Sequence, residues 1–289
     1  MNSDFNNQSL VIGCVTENTP KYLSQALRLL QSIRWFGGKI SGAKVIVCVV
    51  EGIDPGYRDE FQKYFAEVRI VARFSEKHPQ SNKLRFLQQE DLKDYRSTLL
   101  LDCDTVVVQD PSVYLATDGL RGKIVDGPTT PHHVFEDLFN FFQLPIPQKD
   151  YRCTVRGTST IPYFNAGVLL FSQAAMADLI PAWVKLNEQL IDNLEVLGNS
   201  SNFCEQGSLS LAIVATATSL NVFGNEMNFP IHHKDYFSCL ENIDPLIIHY
   251  HSLVDPAGYI MDSQYSLTNK RIAQFNDRLR KEKNISKCW

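Results

Sequence analysis

Short, unbroken apolar runs separated by segments of helical period constrain this chain most. Leu10 to Val15 (LVIGCV), Val45 to Val50 (VIVCVV) and Leu99 to Leu101 lack polar alternation and are bounded by polar residues. That is the pattern of strands buried on both faces. After the first run a polar turn, Thr16 to Thr19, leads to Pro20, which suits the first turn of a helix with Thr19 as its cap. Leu23, Ala26, Leu27, Leu30, Ile33 and Trp35 then form one apolar stripe ending at Gly37-Gly38. A second helix is expected over 55–65, with Phe61, Tyr64 and Phe65 at helical spacing. A short strand follows at Val68 to Val71, and a third helix over 81–92 presents Leu84 and Leu87. The order β-α-β-α-β-α-β predicts an α/β fold, a mostly parallel, Rossmann-like sheet covered by helices on both faces. Ligands of such sheets sit at the carboxyl ends of the strands.

One of those ends carries an unusual load. In STLLLDCDTVVVQDP, residues 97–111, the apolar run stops at Asp102-Cys103-Asp104 and a second run, Val106 to Val108, follows. Carboxylates one residue apart can face the same side of an extended chain. Two such oxygens can share one divalent cation, and a cation there can neutralise a diphosphate. With nineteen aspartates in 289 residues, one Asp-x-Asp pair is about what chance supplies. Its position gives it weight, because burying two charges at a strand end is costly without a counter-charge.

The second half is less regular. Lys123 to Val125 reads as a strand ending at Asp126-Gly127-Pro128, and the aromatic-rich 131–143 as a helix over the site. Residues 145–160 read as loop, Tyr163 to Phe171 (YFNAGVLLF) as a strand, and 174–194 and 203–215 as helices. Leu246 to Ile248 is a last apolar run ending in His249-Tyr250-His251. One of those two imidazoles beside an aspartate pair would complete a mixed oxygen and nitrogen set, which suits Mn²⁺ better than Ca²⁺. His132-His133 and His232-His233 sit in loop-like contexts with no aspartate partner, so no ligand role is expected of them. Asn165 offers an amide for sugar hydroxyls. Glu205 opens a helix, where the dipole favours an acidic residue in any case.

A net charge of −4 gives no reason to expect nucleic-acid binding. The N-terminus, MNSDFNNQSL, lacks the basic start and apolar core of a signal peptide, and no run approaches the length of a membrane span. Seven scattered cysteines, odd in number and without a CxxC pair, argue for thiols in a reducing compartment. A cytoplasmic location is expected. The tail KRIAQFNDRLRKEK, 270–283, puts Ile272, Phe275 and Leu279 on one helical face among six basic residues. It reads as a helix packed on the domain, with a weak membrane-surface contact as the alternative.

Taken together, LVIGCV, STLLLDCD, KIVDGP, YFNAGVLLF, the Glu-Gln pair and HYH resemble the glycosyltransferases of the GT-A fold. They are most similar to the retaining family 8 type, the galactosyltransferase and glycogenin relatives, from about residue 10 to His251 and in the family's order. With no repeat and no linker in the sequence, a single domain over 1–289 is expected. Residues of about 8–128 would bind the nucleotide-sugar, about 129–260 the donor sugar and acceptor, and 261–289 form a helical tail. The resemblance implies Asp102 and Asp104 as ligands of Mn²⁺ (or Mg²⁺), with Val15, Thr16 and Cys103 beside the nucleotide and Lys83 in SNKLRFL reaching the donor. Asp126 would contact the donor sugar, and Asn165 and Gln206 the reacting centre. Asn228 in EMNFP resembles the Asn of a later loop motif.

Two departures from the family pattern are visible. Its His-x-x-Gly-x-x-Lys-Pro-Trp is replaced by HYHSLVDPAGYI, which leaves the third metal ligand open between His249 and His251. Glu205 stands where an Asp is usual, which moves that carboxylate by over an ångström. The expected activity is metal-dependent transfer of a sugar from a nucleoside diphosphate, UDP first, to a glycan, lipid-linked or small-molecule acceptor. Retention is implied by the resemblance; for inversion, Glu205 or Asp126 would have to serve as base. The alternatives are a nucleotidyltransferase, although VTENTPKY lacks that class's glycine-rich loop, and a non-catalytic nucleotide-sugar-binding protein of the same fold.

Overall fold

The computed structural model describes residues 9–233 and 237–286; the polar start of the chain and Cys288 lie outside them. The elements in chain order are β1 (Leu10–Glu17), α1 (Pro20–Phe36), β2 (Lys44–Val50), α2 (Pro55–Lys63), β3 (Ala66–Val71), the single turn α3 (Leu84–Leu87), β4 (Ser97–Leu101) and β5 (Thr105–Val107). Then come β6 (Leu120–Ile124), α4 (His132–Phe141), β7 (Tyr151–Arg152), β8 (Ser159–Thr160), β9 (Phe164–Ser172), α5 (Gln173–Ile191) and α6 (Cys204–Thr216). The chain closes with β10 (Leu220–Val222), β11 (Phe229–Pro230), the short α7 (Phe237–Leu240), β12 (Ile247–His249) and α8 (Ser266–Ser286).

Seven strands form the main sheet in the order β10-β6-β9-β4-β1-β2-β3. It is parallel except at β9, which runs antiparallel to both β4 and β6. Alternate residues of β1 point to opposite faces, as a strand requires. Leu10, Ile12 and Cys14 pack with Leu23, Ala26 and Leu30 of α1, whereas Val11 joins the α5 and α6 side around Trp183 and Leu209. Gly13 lets the Phe86 ring lie on β1: an added Cβ would stand 2.1 Å from it. β3 is the charged edge strand, with Glu67 and Arg69 outward, which blunts edge-to-edge pairing.

A second sheet, β11-β12-β5, brings the chain back beside the first. β12 is antiparallel to β5, with His249 opposite Thr105, so this pairing carries the late histidines to the end of β4. α8 covers that sheet with Ile272, Phe275 and Leu279, all buried with Val106, Ile248 and Tyr250. The tail is thus a helix packed on the domain, as expected, and the apolar face that the alternative would turn to a membrane is used inside the protein. Among the described residues no helix is long and apolar enough to cross a membrane, and no disulfide joins the six described cysteines.

Several local expectations need correction. Residues 81–92 are not one helix but a 3-10 turn (Pro79–Lys83), α3, and a second 3-10 turn (Glu90–Asp94). Tertiary hydrogen bonds hold the stretch instead: Asn82 accepts from the Phe74 amide at 2.7 Å and donates to Glu17 at 2.6 Å. α2 stops at Lys63, because Phe65 takes a left-handed φ of 54° to start β3 and stays exposed. Thr19 occupies the cap position of α1 without a side-chain cap bond. The 145–160 segment contains the hairpin β7–β8, and a 3-10 stretch, Leu194–Phe203, follows α5. α4 sets Phe135 against Tyr163, ring centroids 4.9 Å apart.

Candidate active site

The turn after β4 is fixed by backbone bonds. The Asp102 amide donates to Gly167 O at 2.9 Å, and Thr105 donates both its amide and its hydroxyl to Asp102 O. β12 then presents His249, and the Tyr250 amide donates to Asp104 O at 3.0 Å. The result is a three-residue set. His249 Nε2 lies 3.1 Å from Asp104 Oδ1, and His251 Nδ1 lies 3.8 Å from Asp104 Oδ2. One ligand atom from each of Asp104, His249 and His251 falls within 4.8 Å of the others. One carboxylate and two imidazoles are a donor set that fits a first-row divalent cation.

Burial and mutual contact set the charge on each group. Burial would raise the Asp104 carboxyl, but the His249 imidazole and its hydrogen bond hold it at about 2. Burial likewise disfavours a charged His249, and Asp104 overrides it, so that pKa is raised. His251 is pushed down to about 3 by burial and by the neighbouring His249 and His232 rings. His251 therefore offers a neutral imidazole, and it does so from a left-handed backbone, φ 53°.

A polar chain orients His249 from behind. Its Nδ1 lies 3.0 Å from Asn228 Oδ1, Asn228 Nδ2 donates to Asn165 Oδ1 at 3.1 Å, and that oxygen also accepts from the Gly167 amide at 2.9 Å. An Asn oxygen facing Nδ1 makes Nδ1 the protonated nitrogen, which directs Nε2 at Asp104. Gly167 is required here: a Cβ would stand 2.7 Å from His249 Cε1 and 3.0 Å from Asn165 Oδ1.

Asp102 sits differently from its expected place in the metal set. Its carboxylate bonds Lys83 Nζ at 2.8 Å, and Lys83 also reaches Ala166 O at 3.3 Å. Burial works against the Lys83 ammonium, but Asp102 and then Glu205 keep its pKa raised. Glu205 is buried, with Oε1 4.0 Å from Lys83 Nζ and Oε2 3.7 Å from His78 Nε2. Gln206 Nε2 lies 3.4 Å from Glu205 Oε1. A cavity of about 420 Å³ is lined by Val15, Thr16, Lys83, Asp102, Cys103, Asp104 and Glu205, together with Tyr22 and Gln25 of α1. A larger groove of about 860 Å³, between Arg34, Tyr64 and Arg278, holds none of the expected site residues.

Asp126 lies on the other side of the Asn228 loop. Lys123, fully buried, donates to Asp126 Oδ1 at 2.5 Å and to Asn228 O at 2.7 Å. Burial would raise the Asp126 carboxyl, yet Lys123 keeps it well below the usual range. His233 Nε2 stands 3.3 Å from Asp126 Oδ2, so the His232-His233 pair does have an aspartate partner, contrary to expectation. Neither Lys123, one of two basic residues in the strand LRGKI, nor His78 carries a signal in the sequence.

Residues 12–217 match the profile of the Rhodobacterales glycosyltransferase domain. Among solved structures, the galactosyltransferase LgtC in complex with donor and acceptor sugar analogues superposes with a TM-score of 0.58 at 14% identity, over 92% of this chain and 95% of that one. Mouse xyloside xylosyltransferase 1 gives 0.50 at 13%, over 85% and 98%. The glycosyltransferase GlyE of Streptococcus pneumoniae gives 0.56 at 15%, over 96% of this chain and 64% of that one. No curated protein sequence matches. The fold is that of the GT-A glycosyltransferases.

Proposed function

The chain belongs to the Rhodobacterales glycosyltransferase domain family and is a transferase, and we propose that it moves a glycosyl unit from a nucleoside diphosphate, UDP first, to a hydroxyl acceptor with retention, in the manner of family 8. The observation that carries this reading is the Asp104, His249 and His251 set at the edge of a cavity that β1 and the β4 turn line together. Asp104, His249 and His251 would hold Mn²⁺ in preference to Mg²⁺, which two imidazoles suit poorly. When bound, the ion supplies charge stabilisation for the departing diphosphate.

The chain's own groups do the remaining work. Val15, Thr16 and Cys103 shape the nucleotide end of the cavity. Lys83, held by Asp102 and Ala166 O, would turn to the diphosphate, which would free Asp102 as a further oxygen ligand. Asn165, fixed by Asn228 and Gly167, presents its amide toward the sugar, and Asp126, held ionised by Lys123, accepts from sugar hydroxyls. Glu205 is wedged between Lys83 and His78, so it orients Gln206 and Lys83 instead of attacking carbon. The whole of 1–289 acts as one catalytic domain.

The test is incubation with a panel of nucleotide-sugars and Mn²⁺, followed by NMR. One donor should be hydrolysed slowly without acceptor, first giving the sugar with the donor's own anomeric configuration. A first product of opposite configuration would overturn retention, and no turnover of any donor would overturn sugar transfer.

A further inference from the structure

The four late histidine rings form one continuous row of contacts. Ring centroids lie 3.9 Å apart for His249 and His251, 4.3 Å for His251 and His232, and 4.0 Å for His232 and His233. One end of the row is Asp104. The other end is Asp126, whose Oδ2 faces His233 Nε2 at 3.3 Å. Asp126, His232 and His233 each offer one ligand atom, all within 4.8 Å of one another. They repeat the composition of the first set, one carboxylate and two imidazoles, from different elements: the end of β6 and the segment after β11.

We propose that Asp126, His232 and His233 form a second divalent-cation site, of zinc type, joined to the first through the His251–His232 ring contact. Two nitrogens and one carboxylate oxygen, with a fourth position left for water, are the ligands Zn²⁺ takes at open sites, and they suit Mg²⁺ or Ca²⁺ poorly. The surroundings also fit. The second Asp126 oxygen is engaged by Lys123 at 2.5 Å and by the Thr154 hydroxyl at 3.1 Å, which fixes the carboxylate as outer-shell partners do. His232 is exposed, so a cation can enter from that side. Lys123 offsets the charge of Asp126, whereas among the described residues no lysine bonds Asp104. This site therefore fills after the first and binds more weakly.

The binding claim stands on these residues alone; its consequence for activity rests on the sugar-transfer reading. Zinc held here withdraws Asp126 from the donor sugar, so excess Zn²⁺ inhibits an enzyme that Mn²⁺ supports.

The test is titration of the metal-stripped full chain with Zn²⁺ alone by calorimetry, with Co²⁺ absorption as a spectroscopic check. Wild type should take up two ions of unequal affinity. His232→Ala, a change at an exposed position, should weaken only the looser one by more than about tenfold, and His233→Gln should do the same. Asp104→Asn should instead remove the tighter ion. One ion in wild type, lost in Asp104→Asn and untouched in His232→Ala and His233→Gln, would overturn the second site and leave the first standing. Two ions indifferent to both histidine changes would also overturn it. No uptake by wild type would overturn both sites.

Discussion

Gly167→Ala is the most informative single change, because it adds one methyl group directly behind the His249 ring. The new Cβ would meet His249 Cε1 at 2.7 Å and Nδ1 at 2.8 Å, where ordinary contact begins near 3.4 Å, so the ring must retreat by about 0.7 Å. It has little room, being buried and tied to Asp104 and Asn228. Overpacking of this kind costs about 1–3 kcal/mol, offset by about 0.4–1 kcal/mol for the less flexible unfolded chain. A drop of a few degrees in unfolding temperature is expected. The larger effect falls on Mn²⁺: displacing a ligand that its neighbours orient should weaken binding roughly 10–100-fold by calorimetry. Gly13→Ala is the control, since its Cβ would strike the Phe86 ring at 2.1 Å, in the apolar core rather than against a metal ligand. It should destabilise the fold at least as much and leave Mn²⁺ affinity unchanged. If Gly167→Ala binds Mn²⁺ as wild type does while losing stability, His249 is not a ligand and the site is misassigned.

Asn228→Ala removes the acceptor for His249 Nδ1 and the donor to Asn165, so Mn²⁺ affinity should fall about tenfold or more with little change in fold by circular dichroism. Lys123→Met leaves Asp126 buried without its counter-charge and should cost about 3–5 kcal/mol in urea unfolding, most of it restored in Lys123→Met/Asp126→Leu. Because its pKa is raised, His249 paired with ionised Asp104 stabilises the metal-free fold fully between about pH 4 and about pH 6.5, and that contribution is lost as pH rises through the raised value. A cation must displace that proton, so Mn²⁺ affinity should increase with pH, and calorimetry in buffers of different ionisation enthalpy should register proton release.

Much of the scaffold is legible in sequence because burial on both faces leaves an uninterrupted apolar run. β1, β2 and β4 each have one, and the helix stripes between them dictate crossovers. Strand direction is not written that way: YFNAGVLLF reads equally well parallel or antiparallel, and only its pairing with Leu99–Leu101 and Leu120 shows β9 reversed. Residues 81–92 mislead for a related reason. Leu84 and Leu87 keep helical spacing, but Asn82 and Lys83 are positioned by Glu17, Phe74 and Asp102 from distant segments. The site shows the same division. Asp102, Asp104 and the HYH motif stand out locally, whereas the partnership of His233 with Asp126, and of Asn228 with both His249 and Asn165, exists only through the fold. The competition of Lys83 for Asp102 is also tertiary, so no spacing rule reveals that Asp104 alone of the pair faces the histidines.

The central claim is that a divalent cation on Asp104, His249 and His251 binds the donor's diphosphate. Calorimetric titration of the chelator-treated protein with UDP, with and without Mn²⁺, tests it most directly. The expected result is binding with Mn²⁺ that weakens at least about tenfold without it and fails to recover in Asp104→Asn. UDP binding equally tight with and without metal, or unchanged in Asp104→Asn, would contradict it.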